Sequence, residues 1–99
     1  MIDLMAVQTA LEQVLDPEIG IDVVNLGLIY VMEEQPDHTL HIAMTMTTPG
    51  CPAHDSLRYA VQYAAEQVAG VTSVQVEVVW NPPWTPERMS EAAKARLAW

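Results

Sequence analysis

Behind Asp3, apolar residues recur at Leu4, Val7, Leu11, Val14 and Leu15. That three-to-four spacing predicts a helix with one buried stripe, and the Asp3 carboxylate is placed to accept its free N–H groups. The helix should stop near "LDPEIG", because Pro17 disfavours helical geometry at Asp16 and Gly20 breaks the pattern again. "IDVVNLGLIYVMEE" is β-branched and apolar, with Asn25 and Gly27 suggesting a turn or bulge rather than an uninterrupted strand. "EEQPDH" reads as a hairpin turn with Pro36 and Asp37 at its tip. Leu40, Ile42, Met44 and Met46 then alternate with His41, Ala43, Thr45 and Thr47, the mark of a strand with one buried face. "TPG" ends it. From Pro52 to about residue 69, Ala53, Leu57, Ala60, Val61, Ala64 and Val68 share one side of a second helix. Gly70 is placed to close that helix in a left-handed conformation. Val74, Val76, Val78 and Trp80 alternate with Gln75 and Glu77 as a third strand. After "NPPW", "TPERMSEAAKARL" restarts as a helix with Thr85 as cap and Pro86 at its first position.

The predicted order is helix, strand, strand, helix, strand, helix. A hairpin followed by a helical crossover implies an α+β fold: a two-layer sandwich with a small mixed three-stranded sheet and helices on one face. With 99 residues, the chain is expected to be a single domain over residues 1–99.

Charge narrows the partners. Four Lys plus Arg against thirteen Asp plus Glu give a formal net charge of −9. Such a surface repels phosphate backbones and anionic lipid, so neither nucleic acid nor membrane is an expected partner. No apolar run reaches the ~18–20 residues of a membrane span, and the first ten residues lack the pattern of a secretory signal. The expected location is the cytoplasm. One cysteine makes no intrachain disulfide, which suits a reducing compartment.

That cysteine, Cys51, carries the candidate chemistry. It follows Gly50 and precedes Pro52, a favoured first helical residue, so it stands where an N-cap belongs. Unpaired N–H groups and the positive end of the helix dipole would both favour thiolate over thiol there. Against this stands the plain reading of Cys51 as a small buried hydrophobe. His54, three residues on, could share one side of the first turn with Cys51, as metal ligands or as nucleophile and base. His41 would join them only if its strand ends beside that helix. Both histidines are equally read as surface residues, and Asp55 is explained by the helix dipole alone. Asp16 and Glu18 flank a proline and order a turn on the simplest reading; Thr48 suits a strand end. Trp80 and Trp84, around two prolines, form either a partner surface or a lid on the core. No glycine-rich phosphate loop and no G-x-S-x-G elbow occurs. Spacing alone leaves three classes open: a carrier using Cys51, a docking module, and a thiol enzyme using Cys51 and His54.

Three segments, taken jointly, go further. "DPEIGIDVVNLGLIY", "MTTPGCPAHDSL" and "VVWNPPWTPERMSEAAKARL" closely resemble, in order and separation, the iron–sulfur cluster assembly domain family of SufT-like and PaaD-like proteins. The likeness runs from about Leu4 to Leu97. It implies an α+β fold and a non-enzymatic accessory role in maturing iron–sulfur proteins, by cluster transfer or by bringing clients to the assembly machinery. The family's reactive cysteine maps onto Cys51, its acidic pair onto Asp16 and Glu18, and its "VNLGL" onto Val24 to Leu28, which includes Asn25. Its threonine before "PGC" maps onto Thr48, and its tryptophan–proline segment onto Trp80, Pro82, Pro83 and Trp84. Asn81 stands where the pattern often carries aspartate. The cysteine-bearing C-terminal extension typical of PaaD-type members is not seen before Trp99, which places the chain nearer the short SufT-like form. The resemblance implies that a cluster or iron is bound transiently by Cys51. Since a cluster usually takes four thiolate-type ligands, stable binding would need a homodimer pairing two Cys51 residues, plus small thiols or partner cysteines.

Overall fold

A computed structural model describes residues 2–16, 19–47 and 54–97, and the side chains of all of these except His54 and Leu97. Glu18, Thr48 and Cys51 lie outside the described residues, and His54 is placed by its backbone alone.

Helix α1 spans Leu4–Leu11, and the Asp3 carboxylate caps it as the spacing predicts, accepting the N–H groups of Met5 and Ala6. The helix is one turn shorter than its apolar stripe. Val14 and Leu15 keep the helical spacing but lie in extended chain: Leu15 forms a bridge to Asp22, and the Val14 carbonyl accepts the Val23 N–H at 3.0 Å. Val14 faces in and Leu15 out, the alternation of extended chain. A residue this close to Pro17 loses little by leaving the helix, and pairing with the 22–23 segment satisfies its backbone.

Residues 21–28 form a compact turn, in keeping with the turn or bulge that Asn25 and Gly27 suggested. Asp22 is the cause. Its carboxylate accepts the Asn25 N–H at 3.0 Å and its carbonyl accepts the Leu26 N–H at 3.0 Å, as at a helix start. Gly27, at φ +78°, reverses the chain, and Leu28 returns to the core. Strand β1 begins only at Ile29 and runs to Gln35.

A tight turn at Pro36–His38 joins β1 to β2, Thr39–Met44, with Asp37 and His38 both left-handed. The two strands pair antiparallel from Ile29↔Met44 to Gln35↔Thr39, with a bulge at Tyr30. Helix α2, His54–Glu66, crosses over to β3, Ser73–Val78, which pairs parallel to β2 from Thr39↔Ser73 to Met44↔Val78. Gly70 is left-handed as expected, at φ +91°, but α2 ends at Glu66, so Gly70 lies in the turn that follows rather than closing the helix. The sheet order is β1-β2-β3, and the buried face of β2 (Leu40, Ile42, Met44) meets Val7 and Leu11 of α1 and Leu57 and Val61 of α2 in one core. This is the expected mixed sheet and element order.

The last helix differs from expectation. Pro86–Arg88 form only a 3-10 turn, Met89 is extended at φ −68° and ψ 149°, and α3 covers Glu91–Leu97. Met89 breaks the helix because its side chain is buried. The Thr85 hydroxyl engages the Glu87 carboxylate instead of capping a helix. Ser90 caps α3, its Oγ accepting the Ala93 N–H at 3.2 Å. Among the described residues no helix is long and apolar enough to cross a membrane.

Candidate functional site

The end of the sheet where β2 finishes brings together several described segments that carry candidate residues. Past Met44, the Thr45 N–H donates to the Leu28 carbonyl at 2.8 Å, and the Val79 N–H donates to the Met44 carbonyl at 2.7 Å. The 21–28 turn, the close of β2 and the chain leaving β3 therefore lie side by side. The 48–53 segment, with Cys51, links Thr47 to the first residue of α2. In α/β architecture the carboxyl end of a parallel strand, before the crossover helix, is where ligands commonly bind.

Two of the three motif segments are bound to each other. Asn25 is the hub. Its Nδ2 donates to Asp22 Oδ1 at 2.8 Å, its Oδ1 accepts the Ser90 hydroxyl at 2.7 Å, and its carbonyl accepts the Ser90 N–H at 2.8 Å. Trp84 closes the same platform: its indole N–H donates to the Leu26 carbonyl at 2.6 Å while the half-buried ring packs on the core. Gly27 lies so close to Arg88 that a Cβ would stand 2.8 Å from the Arg88 carbonyl carbon. Trp80, by contrast, lies outside β3 and is 41% exposed.

Asp16 is 2% exposed. Its Oδ1 accepts the Ile19 N–H at 3.3 Å and its carbonyl accepts the Gly20 N–H at 2.7 Å, which ties Asp16 to the Ile19–Gly20 stretch. Leu15 beside it, with Ser56, Leu57 and Ala60, lines a small recess against the first turns of α2. The loop bearing Asp16 and the start of α2 are thus neighbours. Thr45 is the second polar residue buried here, 1% exposed, and its hydroxyl has no hydrogen-bond partner among the described residues.

His41 lies away from this end, on the open face of the sheet. Its Nε2 is 3.3 Å from Glu77 Oε1 and its Nδ1 3.9 Å from Glu33 Oε1, across both neighbouring strands. The Glu77 contact gives the ring a structural partner, while its buried Nδ1 has no hydrogen-bond partner among the described residues. Among the described residues no group of three His, Cys, Asp or Glu side chains is placed to hold a metal. Sequence reasoning overlooked Asp22 and Ser90, and read Thr45 only as a residue suited to a strand. Asp22 and Ser90 carried a legible signal, each being a short polar residue directly before a local helical turn and accepting the N–H three positions on; the isolation of Thr45 did not.

Comparison with known proteins matches residues 4–78 to the model of the family described as iron–sulfur cluster assembly protein. The Fe-S protein maturation auxiliary factor YitW of Bacillus subtilis is 47% identical over 88 residues, covering 89% of this chain and 86% of that protein. The Fe-S protein maturation auxiliary factor SufT of Staphylococcus aureus is 38% identical, covering 85% of this chain and 96% of that protein. An iron-sulfur cluster carrier protein of Mycobacterium tuberculosis is 32% identical over 74% of this chain but only 19% of its own length. A crystal structure of a domain of unknown function from Bacillus anthracis superposes with a TM-score of 0.88 at 43% identity, covering 93% of this chain and 88% of that one. The SufT-like resemblance carried by the three motif segments and the α+β order of the fold agree with these relatives. The chain belongs to the iron–sulfur cluster assembly protein family.

Proposed function

We propose that this chain is an accessory factor in the maturation of iron–sulfur proteins, acting in the cytoplasm through Cys51 on iron or a cluster passed between assembly machinery and apo-clients. The observation that carries this reading is the family match over residues 4–78, which includes Cys51 in the crossover between β2 and α2. Relatives named as maturation factors match most of their own length, and relatives named as cluster carriers use a region of this size within longer chains. A single cysteine suits transfer better than storage. One chain offers one thiolate to a cargo that usually takes four, so the cargo is shared with a second copy, a small thiol or a client, and is released easily.

Asp16, Glu18, Thr48 and His54 are proposed to serve the same end of the molecule, around the cysteine. Asn25 and Trp84 act by holding the platform together, since both side chains are committed to internal hydrogen bonds. Anaerobic reconstitution with iron and sulfide tests the reading. Wild type should gain colour and a metal-bearing native mass, and Cys51→Ala should gain neither. A colourless, metal-free wild type whose deletion still impairs iron–sulfur enzymes in cells would point to client docking instead.

A further inference from the structure

Beside the platform, Gly27, Ile29, Tyr30, Pro82 and Arg88 line an open groove of about 480 Å³. That volume falls within the roughly 300–1,000 Å³ of small-molecule sites. The Arg88 guanidinium lies over the Tyr30 ring, 4.7 Å from its centroid. Tyr30 is itself pinned, its hydroxyl donating to the Pro82 carbonyl at 3.0 Å. Close packing of the Arg88 backbone on Gly27 fixes where the side chain starts. The stack is therefore pre-organised, with one guanidinium face on the ring and its N–H edge left for a partner.

No such partner is present among the described residues: the ion pairs there are all made by histidines. The neighbouring carboxylate, Glu87, is engaged by its own backbone N–H and by the Thr85 hydroxyl, which hold its pKa below the usual carboxylate range. None of the four Lys and Arg residues makes an ion pair among the described residues, and Arg58 also stacks on a tyrosine ring; Arg88 differs in doing so within a groove. We propose that this groove binds a small organic carboxylate, with Arg88 gripping the carboxylate in its plane and Ile29, Tyr30 and Pro82 contacting the ligand's apolar or flat body. A planar fork on a carboxylate makes two parallel charge-assisted hydrogen bonds. Inorganic phosphate is less suited, because its second charge is repelled by a body of net charge −9 and it has no apolar part for the walls.

This site does not depend on Cys51, so its fate is separable from that of the proposed function. The test is a titration of the isotopically labelled full chain followed by amide resonances, using benzoate, inorganic phosphate and a short glutamate-rich peptide as probes. Benzoate should produce saturable shifts centred on Gly27, Ile29, Tyr30 and Arg88. Arg88→Gln should weaken binding about tenfold or more, as should Arg88→Lys, which keeps the charge but loses the fork. Cys51→Ala should bind benzoate as wild type does. Absence of saturation, binding as tight as wild type by either Arg88 variant, or dependence on Cys51 would each overturn the assignment. So would phosphate or the acidic peptide binding more tightly than benzoate.

Discussion

The Ser90 hydroxyl stands 2.7 Å from Asn25 Oδ1 and donates to it, while the same oxygen accepts the Ala93 N–H that opens α3. Asn25 in turn donates to Asp22. One chain of hydrogen bonds thus runs from the turn before β1 to the last helix, across 65 residues of sequence. Two stretches that carry the family likeness are joined by it.

Ser90→Ala removes both a cap and a tertiary bond, and should destabilise the protein by about 1–2 kcal/mol. Asn25→Ala should cost about 1–3 kcal/mol, since Asp22 and Ser90 both lose a partner. Urea unfolding of the single and double variants should show a shortfall from additivity of at least about 0.5 kcal/mol. Full additivity would mean that the bond does not couple the two segments.

Two glycines separate conformational strain from close approach. Gly20 has φ +82° with open space around it, so Gly20→Ala should cost only about 1 kcal/mol. Gly27 has nearly the same φ, +78°, but the Arg88 backbone occupies the place of a Cβ. Gly27→Ala should exceed about 3 kcal/mol, because main chain must move as well. Equal midpoints for the two variants in denaturant would refute the distinction.

Trp84→Phe keeps an aromatic ring over the core and deletes only the indole N–H, leaving the Leu26 carbonyl without its donor. The expected loss is about 1–2 kcal/mol in thermal or chemical unfolding. If Trp84 were instead chiefly a contact for clients, stability would hold while client maturation fell.

Acid should loosen the N-terminal helix through Glu34. Its pKa is lowered first by the backbone N–H of Ile2, donating to Oε1 at 2.9 Å, and then by His38, whose Nδ1 is 2.9 Å from Oε2. A carboxylate held lower in the folded state stabilises above its unfolded value of 4.5, and that contribution fades as pH falls through the folded value. Glu34→Gln should therefore be less stable than wild type at neutral pH and converge with it in acid. Unfolding midpoints measured at about pH 7, 5 and 3 check the sign.

The strongly periodic elements were readable without coordinates. Leu40, Ile42 and Met44 declare β2 by alternation, and Asp3 marks the start of α1 by the chemistry of free N–H groups. The chemistry at the crossover was readable only as residue types: Cys51, Thr48 and Glu18 lie outside the described residues, and His54 is placed by its backbone alone.

Where expectation and structure part, a partner distant in sequence is responsible. Val14 and Leu15 have helical spacing, yet they pair with Asp22 and Val23, because a helix one turn longer would forgo that bridge. The predicted final helix splits at Met89 because burial of one side chain outweighs a few residues of helix propensity. Local spacing and capping are set by neighbours in the chain, so the order of elements and most of the core could be known from residues alone. Which polar groups meet depends on how 99 residues close on themselves, and so Asn25 with Ser90, Trp84 with Leu26 and Arg88 with Tyr30 were decided only when the chain folded.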